Sequence, residues 1–114
     1  MKFKTTEVGG TVEILAADDF DAIPFTVTET DAVKAGTPMT IQGKKTASAT
    51  ANGILLYDVD PSENPNAALV VRGIIDQKKA EKHSGVTYDA AALKTAVPGI
   101  VLRDNTGVNA ADTK

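Results

Sequence analysis

Residues 53–76 read Gly53-Ile54-Leu55-Leu56-Tyr57-Asp58-Val59-Asp60, then Pro61-Ser62-Glu63-Asn64-Pro65-Asn66, then Ala67-Ala68-Leu69-Val70-Val71-Arg72-Gly73-Ile74-Ile75-Asp76. Two apolar runs flank a polar segment rich in turn-forming residues. Runs of this length, bounded by Gly, Pro and Asp, are typical of buried strands. The two prolines between them cannot donate to a sheet, so the polar segment is a predicted loop. We therefore predict a core of two paired strands in a β-hairpin.

Further strands are predicted on both sides of this core. Alternating or β-branched runs occupy residues 11–15, 23–28 and 39–41, and a last apolar run covers 99–104. Pro24 limits its strand to the edge of a sheet. Gly36 is suited to a turn with positive φ.

The pattern changes to that of short helices after Asp76. Residues 77–83 contain good helix formers, with Asp76 as the N-cap and Gly85 near the end. A second helix is predicted over 89–97, capped by Thr87 or Asp89. The predicted class is thus mainly β, a small β-sandwich or β-barrel-like domain, with one or two short helices in the C-terminal half.

The length of 114 residues fits one domain. We predict a β-rich domain over 10–104, an N-terminal arm over 1–9 that is flexible until bound, and a polar C-terminal tail over 105–114. The N-terminus lacks the long apolar run of a signal peptide, so none is expected.

The composition excludes several chemistries. The chain has no cysteine, which rules out disulfides, thiolate metal sites and a cysteine nucleophile. A net charge of −3 with scattered cations disfavours nucleic-acid binding, and no apolar run is long enough to span a membrane. The core lacks Trp and has few aromatic residues, so oligomerisation would be one way to stabilise it.

Several polar residues mimic functional motifs. The oxygen side chains of Asp58, Asp60, Ser62 and Asn64 alternate as in a calcium loop, but Glu63 and Leu69 occupy the positions that need Gly and Glu. A solvated loop is the favoured interpretation, and no metal site or cofactor is predicted.

The chain contains residues of the types used in a catalytic triad and in a catalytic carboxylate pair. His83 is the only histidine, and none of the candidate nucleophiles Ser48, Ser62 and Ser84 has an elbow sequence, so we predict His83 to be a surface residue. Three nearby acids, Asp18, Asp19 and Asp21, are typical of a solvated turn rather than of acid–base chemistry. No catalytic residue is predicted.

Arg72 is unusual because it lies inside an apolar run. Such an arginine must extend to solvent, pair with an acid or lie at an interface. An edge strand with one wet face and a protein–protein interface are both consistent with the sequence, and we keep Arg72 as an interface candidate.

The chain carries a series of features in a fixed order: Ala35-Gly36-Thr37-Pro38-Met39, then Gly53 to Asp60, then residues 67–76 with Val71-Arg72-Gly73, then a helix with Leu93, then Gly99-Ile100-Val101. In this order and patterning the sequence resembles the head decoration proteins of tailed bacteriophages, including related head-fibre and capsid-stabilising proteins. The resemblance covers roughly residues 33–103.

The resemblance implies a non-enzymatic virion protein without cofactors, made in the host bacterial cytoplasm. Such proteins are small β-rich domains that form trimers on the capsid exterior, at three-fold or quasi-three-fold positions, and stabilise the shell by clamping the major capsid protein. The resemblance also makes three residues of the arm candidates for capsid contact: Thr5, Thr6 and Val8. Their β-branched side chains suit addition of the arm as a strand to a capsid sheet. The alternative hypothesis is a carbohydrate- or surface-binding β-module of a fibre or adhesin, for which only Tyr57 and Tyr88 could provide stacking platforms.

Overall fold

The computed structural model describes residues 14–16 and 19–103. Within them lie the strands β1 (Asp21–Thr26), β2 (Pro38–Met39), β3 (Gly53–Leu55), β4 (Asn66–Asp76) and β5 (Ile100–Arg103), and the helices α1 (Gln77–Ser84) and α2 (Ala90–Ala96). The prediction of a mainly β fold with short helices in the C-terminal half is confirmed. The predicted arm over 1–9 and tail over 105–114 fall outside the described residues.

The long strand β4 is the centre of a five-stranded mixed sheet. Its first half pairs antiparallel with β1 on one edge and with β3 on the other, and β2 continues the sheet beyond β3. Its second half pairs in parallel with β5. The predicted pairing of the two apolar runs is confirmed, and β1, which contains Pro24, is an edge strand as predicted.

Both faces of the central strands are buried. Leu55 and Leu69 belong to a core that includes Phe25 and Met39, whereas the adjacent Ile54 and Val70 belong to a second core. The second core also holds the helix residues Ala80 and Leu93. Because successive strand residues point to opposite faces, a strand buried on both sides reads as a continuous apolar run.

Gly53 allows β3 to lie directly against β4. A Cβ at this position would be 2.5 Å from the carbonyl oxygen of Val70 and 2.6 Å from the Cγ atom of Leu69. No side chain larger than hydrogen fits there without movement of the backbone.

The first helix begins at the expected Asp76, and the second begins at Asp89, one of its two candidate caps. The Asp76 carboxylate accepts a hydrogen bond from the main-chain N–H of Lys79 at 3.1 Å, and that of Asp89 accepts one from Ala92 at 3.2 Å. Gly85 ends α1 in the left-handed conformation, with φ of 78°. These caps supply partners for main-chain groups that a helix end leaves unpaired.

Three predicted strand boundaries are wrong. β1 ends at Thr26, because Thr28 donates its N–H to the carbonyl of Gly43 and the chain turns away from β4. β2 ends at Met39, because a turn closed by a hydrogen bond from Gly43 N–H to the Thr40 carbonyl follows it. Of the first apolar run, residues 53–60, only the three residues Gly53–Leu55 form a strand, β3.

The predicted strand over 11–15 lies largely outside the described residues. Leu15 forms an isolated antiparallel bridge with Ile75. Within the part of the chain that the structure describes, no helix has the length and apolar character needed to cross a membrane.

Candidate interaction surfaces

Arg72 lies between two acidic side chains on the sheet. Its Nε atom is 2.6 Å from Oδ2 of Asp21, the residue opposite it on β1, and its Nη2 atom is 3.1 Å from Oδ1 of Asp19. The hydrogen bond and the charge of Arg72 hold the pKa of the Asp21 carboxyl below its usual value, and the two acids raise the pKa of Arg72. Arg72 is therefore paired with acids, although 48% of its side chain stays exposed.

The explanation of Arg72 by an edge strand is wrong, because β4 is flanked by other strands on both edges. Its role at an interface stays a prediction. Asp19 and Asp21 are exposed and bind Arg72, whereas Asp18 lies outside the described residues.

His83 joins α1 to the segment that follows β3. Its Nε2 atom is 2.7 Å from Oδ1 of Asp58, and the same oxygen accepts a hydrogen bond from the main-chain N–H of Ala35 at 2.8 Å. The His83 side chain is 17% exposed, so it lies at the surface but is partly buried against Asp58. Asp58 thus connects three segments that are distant in sequence.

Each of the three serines forms a hydrogen bond with a residue other than His83. Ser48 accepts a hydrogen bond from the N–H of Asp89, Ser84 accepts one from Val86, and Ser62 donates to Asp60. Among the described residues, His83 contacts Asp58 and forms no side-chain hydrogen bond with a serine. The arrangement is that of a structural hydrogen bond rather than of a nucleophile with its base.

The loop that resembles a calcium site directs its oxygens into its own backbone. Asp60 Oδ1 accepts hydrogen bonds from the N–H and hydroxyl of Ser62 at 3.1 and 2.7 Å, and Asn64 Oδ1 accepts one from Asn66 N–H at 3.1 Å. Such side-chain to main-chain bonds are turn-forming. Across residues 14–16 and 19–103, no group of three or more His, Cys, Asp or Glu residues could hold a metal ion.

The same loop contributes an open pocket of about 280 Å³ that the sequence did not indicate. We call it the Tyr57 pocket; it is lined by Tyr57, Asp58, Val59, Asp60, Glu63, Asn64 and Asn66. Tyr57 is 38% exposed, whereas Tyr88 is 6% exposed and donates its hydroxyl to the carbonyl of Gly36. The pocket therefore combines an accessible ring with carboxylates and amides.

A second surface is formed by α1. Lys78, Lys79 and Lys82 are exposed on α1, whose Ala80 is buried, and we call these three residues the lysine face. The acid of the same helix is used elsewhere: Glu81 Oε2 accepts hydrogen bonds from Tyr88 N–H at 2.8 Å and from Gln77 at 3.3 Å. None of the three lysines forms an ion pair with a described residue.

The arm residues predicted to contact a capsid, Thr5, Thr6 and Val8, lie outside the described residues. Comparison of the chain with protein-family models, with curated proteins and with solved structures finds no match.

Proposed function

We propose that this protein is a virion structural protein that binds the exterior of a tailed-phage capsid as a trimer. It occupies three-fold or quasi-three-fold positions and stabilises the shell by clamping neighbouring subunits of the major capsid protein. It is not an enzyme and uses no cofactor.

The observation that carries this proposal is the structural role of the residues on which the resemblance to decoration proteins rests. Gly36 has a positive φ of 92°, as its turn requires, and Gly53 lies in contact with β4. Leu93 and Ile100 are fully buried in the core that also contains residues of β4. The features that carry the resemblance therefore belong to one contiguous scaffold, as expected if they are needed to form the fold.

The described surface also suits binding better than chemistry. His83 and Asp58 bind each other and the backbone, and Asp60 and Asn64 stabilise their own loop. A capsid carries many copies of such a domain, so individually weak contacts can give strong attachment when the bound copies are linked in an oligomer.

The test is co-sedimentation with capsids of the phage that encodes the protein. We expect binding to expanded capsids and none to unexpanded shells. A matched variant without residues 2–9 is expected to keep its circular dichroism spectrum and lose binding, because the arm carries Thr5, Thr6 and Val8. Failure of the full chain to bind expanded capsids under any condition would refute the proposal.

The Tyr57 pocket favours a second candidate, a carbohydrate-binding module. Aromatic rings beside carboxylate and amide groups are common in sites for polar ligands, and Tyr57 is accessible whereas Tyr88 is buried. A glycan array separates the two functions: glycan binding that is lost in Tyr57→Ala, together with absence of capsid binding, would favour the module.

A further inference from the structure

We propose that copies of this chain bind one another head to tail, with the lysine face of one copy on the Tyr57 pocket of the next. The surfaces and their pairing are inferred from the described residues, and the closure into a trimer rests on the proposed function. The inference thus assigns the subunit interface that the decoration proposal requires.

The lysine face is a cationic surface in a chain whose net charge is −3. The carboxylates of Asp76 and Glu81 accept hydrogen bonds from the main-chain N–H groups of Lys79 and Tyr88. The three lysines still outnumber these two acids, so the surface of α1 is cationic. Lys78 and Lys82 are one helical turn apart and lie on the same face. They can therefore contact one acidic surface together.

The Tyr57 pocket has the complementary chemistry. Asp60 and Glu63 are exposed, and neither forms an ion pair with a described residue. Tyr57 adds an accessible ring, against which a lysine side chain can pack its methylenes or place its ammonium group. The pocket is thus suited to a lysine-bearing protein surface.

The charges disfavour a two-fold contact that uses either surface alone, and the head-to-tail arrangement follows from the trimer of the proposed function. In a two-fold dimer that used either surface alone, lysines would meet lysines or carboxylates would meet carboxylates, and the contact would be repulsive. A contact between the two different surfaces is attractive. Such a contact closes into a ring when its rotation permits, and the trimer of the proposed function is a ring of this kind.

Exposed ion pairs contribute little individually, so the assembly is expected to be weak and sensitive to salt. The decisive experiment measures molar mass by sedimentation equilibrium over a range of protein concentrations. The variants are Lys78→Glu with Lys82→Glu, Asp60→Lys with Glu63→Lys, and the combination of all four. Lys45→Glu with Lys94→Glu, which changes the same charge on other exposed segments, is the matched control.

We expect the wild type and the control to form trimers at low salt, and each one-sided double variant to lose at least tenfold in association constant. The four-substitution variant is expected to recover association, because both charge signs are exchanged. Circular dichroism identifies any variant that does not fold. If a variant does not fold, the loss of trimer in the wild type on addition of salt tests the interface in its place. A monomeric wild type, a trimer unaffected by either charge reversal or by salt, or a folded combined variant without recovery would overturn the inference.

Capsid co-sedimentation of the same samples separates this inference from the proposed function. If the protein binds capsids but the charge reversals do not change its oligomerisation, the proposed interface is refuted and the proposed function stands. A charge-dependent trimer that does not bind capsids would refute the function and leave the interface.

Discussion

The hydroxyl of Tyr88 donates a hydrogen bond to the main-chain carbonyl of Gly36, a residue 52 positions earlier in the chain. The bond is buried and joins the segment between the two helices to the turn before β2. The same turn packs closely on α1, since a Cβ on Gly36 would lie 2.8 Å from the carbonyl oxygen of Ala80. The helices are thus attached to the sheet through a specific polar contact as well as through the core.

Tyr88→Phe is expected to lower the free energy of unfolding by about 1–3 kcal/mol, because it leaves a buried carbonyl without its donor. Tyr57→Phe is the matched control: its hydroxyl is on an exposed residue, so a change within about 0.5 kcal/mol is expected. Urea unfolding followed by circular dichroism measures both. Equal stability of the two variants would show that the bond to Gly36 contributes nothing.

The stability of the protein is expected to fall at alkaline pH because of Tyr88. Burial disfavours its charged form and raises its pKa, and Glu81 adds to the effect. The folded state therefore prefers neutral Tyr88, and this contribution is complete below the ordinary tyrosine pKa of about 10 and is lost as pH rises through the folded value.

The measurement uses Tyr57→Phe, in which Tyr88 is the only tyrosine left. Ultraviolet absorbance should record its ionisation at higher pH in the native protein than in urea. The free energy of unfolding should decrease above pH ~10 more steeply than in the variant that lacks both tyrosines. Ionisation at the same pH in the native and unfolded states would contradict the prediction.

Gly53→Ala tests the close approach of β3 and β4. Its new methyl group would meet the carbonyl oxygen of Val70, and a strand backbone cannot move without loss of pairing. We expect destabilisation at the upper end of the about 1–3 kcal/mol typical of overpacking. Gly85→Ala is the control, since its Cβ meets nothing within 4 Å and only its positive φ opposes alanine, at about 1 kcal/mol. If thermal unfolding ranks the two variants in the reverse order, the packing argument is wrong.

Asp58→Ala is expected to destabilise the protein more than Asp58→Asn, because alanine leaves the N–H of Ala35 without an acceptor and asparagine retains one. The expected loss for alanine is about 1 kcal/mol, the low end for a lost partner, since the Asp58 side chain is 34% exposed. A double-mutant cycle with His83→Ala in urea unfolding measures the coupling of the pair. Zero coupling would mean that the contact with His83 has no energetic role.

The sequence predicts the local features of this fold, such as the helix caps, but not the side-chain contacts between residues far apart in the chain. Asp76 and Gly85 are predicted to bound the first helix, and Asp89 is one of two candidate caps of the second, because capping depends on residues within one turn. The pairing of β3 with β4 followed from two apolar runs around a proline-containing loop. These signals need no knowledge of the rest of the chain.

The contacts that shape the surface join residues far apart in sequence. His83 and Asp58 are 25 positions apart, and Arg72 is 51 positions from Asp21. The contact of His83 with Asp58 and the position of β4 inside the sheet follow from topology, which no local pattern specifies. The Tyr57 pocket was missed for the same reason, although an aromatic residue next to alternating acids is a signal that could have suggested it.

Arg72→Ala separates a structural role of this arginine from a role in binding. Because Arg72, Asp19 and Asp21 are all substantially exposed, their ion pairs should contribute little to folding, and urea unfolding should change only slightly. Removing the guanidinium should raise the pKa of Asp21 toward its ordinary value. The wild type therefore has a stabilising contribution above the unfolded aspartate pKa that is lost as pH falls through the lower folded value, and the variant lacks it.

Nuclear magnetic resonance titration of the Asp21 carboxyl measures that change directly. If Arg72 lies at an interface, the variant should also lose capsid co-sedimentation while it stays folded. Arg72→Lys is the matched control, because lysine keeps the positive charge but lacks the planar guanidinium group that binds two carboxylates. A loss of stability as large as that of Tyr88→Phe would instead assign Arg72 to the scaffold, and unchanged capsid binding would remove it from the interface.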